Sequence, residues 1–176
     1  MPADPTRRRR PANASSRDAT PDATRLLAAD HVEVHALFED YRKLAEGGAS
    51  GDERRPLAEE ICMLLTVHAA LEDEIFYPAA RAAAVDAGVL DEAQVEHASA
   101  KDLIAQIRDM EPDMPLYDAK VGVLGEYVDH HVDEEEHELF PKCRHSTMDL
   151  GELGLRIAAR KDELMGEMAE GLEVVG

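Results

Sequence analysis

A chain of 176 residues is long enough to bury one core without disulfide staples. With 38 acidic against 19 basic residues, its net charge of −19 repels a phosphate backbone or an anionic membrane, so the expected guests are cations and neither nucleic acid nor lipid. Trp is absent and aromatics make up 4% of the chain, a composition that favours helices over strands.

Residues 1–22 are rich in Pro, Ala, Ser, Thr and Arg, carry the run Arg7 to Arg10, and read as a disordered tail. Pro11 to Thr20 is small and polar, unlike the apolar stretch that a twin-arginine export signal needs. No stretch approaches transmembrane length. Cys62 and Cys143 read as free thiols of a reducing compartment, Cys62 in a core and Cys143 nearer the surface, so the expected location is cytoplasmic.

The first helical pattern runs from about Ala23 to Ala45, with Leu27, His31, Val34 and Phe38 on one face and Gly47, Gly48 and Gly51 ending it. A second starts near Pro56 and carries Leu57, Ile61, Leu64, His68, Glu72 and Ile75, with Pro78 ending or bending it. A third, capped by Asp91, carries His97, Ala100, Ile104 and Ile107 before Pro112 and Pro115. The fourth carries Tyr117, Val121, Leu124, Val128, His131, Glu135 and Leu139 and stops around Pro141. The expected fold is all-α, an up-down-up-down four-helix bundle over 23–145. A further C-terminal helix in 146–176, with Leu150, Leu153, Ile157, Leu164 and Met168 on one face, packs on the bundle or on a partner.

In each of the four bundle stripes a histidine interrupts the apolar seam, joined by glutamate in the second and fourth. A buried imidazole or carboxylate costs several kcal/mol unless it is paired or bound to metal. His68 and Glu72, and likewise His131 and Glu135, are four residues apart and so share a helical face. Each pair precedes a proline by the same count, Pro78 and Pro141, after Phe76-Tyr77 and Leu139-Phe140, an internal pseudo-repeat. His31 and His97 complete a set of four imidazoles and two carboxylates, for which two ions are the natural fill. A nitrogen and oxygen set without thiolate suits iron first and manganese second. A ferritin-like site would show two Glu-x-x-His motifs, and only Glu134 to His137 has that form.

Asp30-His31, His68…Glu72 before Ile75-Phe76-Tyr77-Pro78, Glu96-His97, and His130-His131…Glu135…Leu139-Phe140-Pro141 together resemble the hemerythrin-like family, the HHE cation-binding domain, over roughly residues 26–142. The resemblance implies a non-haem diiron centre of the Fe–O–Fe type, bridged by Glu72, Glu135 and an oxygen species, with His31, His68, His97 and His131 as terminal ligands. It also implies binding of a small diatomic or peroxidic ligand. Oxygen-carrying members place a second histidine one turn after the third-helix ligand, where this chain has Lys101, which points away from reversible carriage and toward reaction.

The leading expectation is a protein that binds or consumes dioxygen, peroxide or nitric oxide in oxidative or nitrosative stress or iron handling. The alternative is an iron- or oxygen-sensing module without turnover, with a protein partner or a second copy of the chain. No separate catalytic side chain is assigned. His35, one turn beyond His31, and Tyr127, one turn before His131, are additional ligand candidates. His130, about 100° round the helix from His131, is expected outside the centre, and Glu74, Glu134, Glu136, His137 and Glu138 on an acidic face, some orienting imidazoles.

Overall fold

In a computed structural model, residues 22–173 are described; the expected tail, Arg7 to Arg10 included, lies outside them apart from Asp22. Every regular element among the described residues is helical: α1 (Ala23–Glu46), α2 (Gly51–Leu71), α3 (Tyr77–Ala82), α4 (Ala87–Arg108), α5 (Tyr117–Glu134), α6 (Phe140–Arg144) and α7 (Leu150–Glu173). Asp22 caps α1 by accepting from the Thr24 amide at 2.9 Å. Helix α2 begins earlier than its proline suggests, because Ser50 and Glu53 form a reciprocal capping box. Pro56 therefore lies inside α2. The cap of α4 is Asp86, which accepts from Gly88 and Val89, and not Asp91. Gly48, at φ +75°, supplies the left-handed step between α1 and α2.

Helices α1, α2, α4 and α5 form a square in which each packs on the next and α5 returns to α1. Helix α7 lies outside the square against α1 and α2. The core divides into two buried clusters. One gathers Leu27, Leu71, Phe76, Leu90, Leu139 and Phe140 with Leu153 and Ile157 of α7. The other gathers Val34, Ile61, Leu65, Ile104, Val121 and Leu124. A layer of buried polar side chains lies between them: His31, His68, Glu72, His97, His131 and Glu135. No helix among the described residues is long and apolar enough to cross a membrane.

Candidate metal centre

The two glutamates sit at matching irregularities in their helices. Glu72–Phe76 and Glu135–Leu139 are single π-turns, one following α2 and the other α5. The Tyr77 amide donates to the Glu72 carbonyl and the Phe140 amide to the Glu135 carbonyl, five residues back in each case. Proline at the next position explains both, since its ring clashes with the carbonyl four residues earlier and widens the turn. The repeated spacing to Pro78 and Pro141 is thus the sequence trace of two identical π-turns.

The four imidazoles meet as two pairs. His31 Nε2 and His68 Nε2 are 3.2 Å apart, as are His97 Nε2 and His131 Nε2. Between the pairs lie the carboxylates. Glu72 directs Oε1 to His68 Nε2 at 3.2 Å and Oε2 to His97 Nε2 at 3.1 Å. Glu135 Oε2 is 3.4 Å from His31 Nε2 and 3.7 Å from His131 Nε2. Two buried groups could each hold a cation: His31, His68, Glu72 and Glu135, and Glu72, His97 and His131, with Glu72 common to both; a third group, Glu96, His130 and Glu134, lies toward the surface.

Every imidazole turns its other nitrogen to a carboxylate of a neighbouring helix. His68 Nδ1 faces Asp30 of α1 at 3.4 Å, and His97 Nδ1 faces Asp73 of the first π-turn at 3.0 Å. His131 Nδ1 faces Glu96 of α4 at 2.7 Å, and His31 Nδ1 faces Glu136 of the second π-turn at 2.9 Å. The chain of contacts runs from the first helix of the square to the second, third and fourth and back to the first. An ionised carboxylate only accepts, so it fixes Nδ1 as the donor and directs the Nε2 lone pair inward.

That arrangement fits metal. Lone pairs facing each other and two carboxylates call for a positive charge between them, and Glu72 Oε1 and Glu135 Oε2 are buried without a hydrogen-bond partner. The protein alone answers the same demand with protons. Burial pulls His68 down, yet Glu72 and Asp30 outweigh it and raise it to about 10. Burial likewise opposes Glu72 and Glu96 at His131, which ends raised to about 11. Glu72 is held well below the usual carboxylate range against its burial by the imidazoles around it. Burial and the adjacent Glu72 push Glu135 up. Metal ions would displace those protons.

Tyr77 is the residue missed by helical spacing. Its hydroxyl donates to Glu135 Oε1 at 2.8 Å and lies 3.3 Å from both Glu72 Oε2 and His97 Nε2. Five residues along a straight α-helix is about 140° round the axis from Glu72. The π-turn removes much of that rotation, and side chains lean toward the helix N-terminus, so Tyr77 reaches back into the layer. The signal for it was the tyrosine directly before Pro78. Burial, then Glu72 and Glu135, raise its hydroxyl well above the usual tyrosine value.

The other two ligand candidates do not join the cluster. Tyr127 precedes His131, so its lean carries it away from the layer, and it is 50% exposed. The His35 ring is 61% exposed and faces Asp129 at 3.2 Å, on the α1–α5 surface. His130 lies outside as well, exposed beside Glu134 and Glu96. Lys101 donates to Asp73 at 2.5 Å, the carboxylate that His97 also uses. Cys143, expected nearer the surface, is buried like Cys62 because α6 packs it into the core. Burial pushes the Cys62 thiol up to about 11 and that of Cys143 to about 12.

A cavity of about 40 Å³ adjoins His31, His68, His97 and His131 and is walled on its far side by Val34, Leu65, Ile104 and Val128. It has room for a water-sized guest, which needs about 10–15 Å³, and none for an organic substrate, whose pockets run to about 300–1,000 Å³.

The sequence model of the hemerythrin HHE cation binding domain matches residues 22–143. The uncharacterized protein Rv2633c of Mycobacterium tuberculosis is 30% identical over 128 residues, covering 71% of this chain and 78% of that one. A DNA nickase of Nostoc sp. is 29% identical over 123 residues, which cover 69% of this chain and 33% of the nickase. The crystal structure of a hemerythrin HHE cation binding domain-containing protein from Mycobacterium kansasii, a homolog of Rv2633c, has a TM-score of 0.72 with this fold. Its sequence is 26% identical, and the match covers 86% of this chain and 92% of that one.

Proposed function

The chain belongs to the hemerythrin HHE cation-binding domain family, and from that premise we propose that it holds two iron ions and binds or reacts with dioxygen, peroxide or nitric oxide. The observation that carries this reading is Glu72, buried between two imidazole pairs with one oxygen toward each. His31 and His68 would serve one ion, His97 and His131 the other, with Glu72 and Glu135 between them. Imidazole and carboxylate without thiolate suit iron, with manganese second. Bound iron would supply the redox and Lewis-acid chemistry.

The protein's own contribution is selection and proton placement. The cavity of about 40 Å³ and its Val34, Leu65, Ile104 and Val128 wall favour a diatomic or a peroxide and exclude bulk water. Tyr77 keeps its proton and holds it on Glu135 Oε1, with its oxygen 3.3 Å from His97 Nε2, on the side of the second imidazole pair. Lys101 gives its ammonium to Asp73, so the place where oxygen carriers have a further imidazole adds no nitrogen donor to the centre. Reaction is favoured over reversible carriage on that ground.

Elemental analysis of the full chain, purified so as to retain iron, tests the first half of the proposal. Two irons per chain are expected, and none after anaerobic iron loading would overturn it. Titration of the loaded protein with hydrogen peroxide and with nitric oxide, followed by optical absorbance, tests the second half. A spectrum unmoved by either, and by oxygen, would refute binding of small oxidants.

A further inference from the structure

The centre contains one three-residue construction twice. His97 Nδ1 is 3.0 Å from Asp73 Oδ1, and Lys101 Nζ donates to the other oxygen of that carboxylate at 2.5 Å. His68 Nδ1 is 3.4 Å from Asp30 Oδ2, and Lys161 Nζ donates to Oδ1 at 2.5 Å. The remaining imidazoles, His31 and His131, rest on Glu136 and Glu96, and no lysine bonds to either acid among the described residues. Each pair of imidazoles therefore combines one on a lysine-bound aspartate with one on a glutamate.

What differs is where the lysine comes from. Lys101 belongs to α4, within the square of helices. Lys161 belongs to α7, beyond the residues 22–143 that the family model matches. We propose that the C-terminal helix is part of the metal centre, with Lys161 as the positioning residue that sets Asp30 against His68, as Lys101 sets Asp73 against His97. The inference rests on the two-iron reading above.

The physical role follows from the charges. Asp30 is largely buried, with 13% of its side chain exposed, and has two oxygens to satisfy. The ammonium fills one, which leaves the other as an acceptor for Nδ1 of His68. His68 is then held as the tautomer whose Nε2 lone pair faces Glu72 and the site. Without the ammonium Asp30 is free to rotate toward solvent, and His68 loses both its orientation and its tautomer. A second contact shows that α7 is seated independently of Lys161. Arg160 forks onto the Glu74 carboxylate at 2.8 and 3.3 Å on the exposed side of the first π-turn.

Anaerobic ferrous iron titration of the full chain tests the proposal, with circular dichroism of each metal-free variant alongside. Lys161→Met should weaken one of the two irons by about tenfold or more, the range seen for outer partners of metal ligands. Lys101→Met should weaken the other iron by a similar factor. Lys161→Arg should restore wild-type binding, and Arg160→Gln, the loss of an exposed ion pair, should change affinity by less than about twofold. Unchanged binding of both irons by Lys161→Met overturns the inference. So does an Arg160→Gln loss as large, since the helix would then act through docking alone. If Lys161→Met fails to fold, Asp30→Asn carries the test, and two irons bound with wild-type affinity there overturn the inference equally. A wild-type chain that takes up no iron defeats the two-iron reading itself, an outcome distinct from a wild-type result in Lys161→Met.

Discussion

The segments Glu72–Pro78 and Glu135–Pro141 share one backbone design and end on different side chains. Both are π-turns opened by a proline, and both begin on a glutamate of the candidate centre. The first presents Tyr77, whose hydroxyl enters the polar layer. The second presents Phe140 at the equivalent position, and its ring stacks on His31 with centroids 5.9 Å apart. One turn thus adds a donor to the centre and the other an apolar wall. Repetition supplies the frame, and one oxygen atom makes the two halves chemically unequal.

Substitutions at the repeated glutamates test that inequality most strongly. Glu72→Gln, which alters the carboxylate common to both groups, should cost about 100-fold or more in iron affinity, beyond what outer partners contribute, and both ions should go. Glu135→Gln should leave the ion served by His97 and His131 in place, as read by metal content after desalting. Loss of both ions in Glu135→Gln would erase the distinction between the two carboxylates. Metal removal comes next. At metal concentrations about 100 times Kd each ion adds about 2.7 kcal/mol, so chelation of both should lower Tm by about 10–20 °C in a chain of this size.

Exchanging the unequal residues gives a smaller effect and a sharper comparison. Tyr77→Phe removes the donor to Glu135 Oε1 and should destabilise the metal-free chain by about 1–3 kcal/mol in urea unfolding. Phe140→Tyr buries a hydroxyl among the apolar residues of its cluster and should cost about 1–3 kcal/mol as well. A neutral Phe140→Tyr would mean that the second turn accepts a hydroxyl as readily as the first. The smallest response is expected from the thiols. Both cysteines are buried and their thiols raised well above neutrality, so neither should react with a thiol reagent at pH 8 until the chain unfolds.

Much of the centre is legible in the sequence because a helix converts spacing into facing. His68 with Glu72, and His131 with Glu135, share a face by periodicity alone, and the seams of His31 and His97 point to the same interior. What periodicity cannot give is phase across an irregular turn or pairing between helices. Tyr77 was hidden by the π-turn, which shifts the angular count between it and Glu72. Glu136, which orients His31, was among the acids expected to do so, but the other three were hidden by their neighbours: Asp30, for example, stands beside His31 in sequence and serves His68, and Glu96 stands beside His97 and serves His131. Lys161 lay still further off, 131 residues from the aspartate it holds. Helix starts were misjudged for a local reason, since Ser50 and Asp86 satisfy amides that the proline and Asp91 signals ignore.

The closed circuit of acids and imidazoles acts as a key for the alignment of the helices. Stripes of Ala, Leu and Val interlock almost as well after a slip of one helix along its neighbour, because apolar contact has little direction. The circuit has no such tolerance. Advancing a helix by one residue turns it about 100° and moves it about 1.5 Å. That takes its imidazole away from the acid on the preceding helix and its acid away from the imidazole on the following one. Each misalignment therefore breaks two links at once, and the square of helices is left with a single register that satisfies every buried charge.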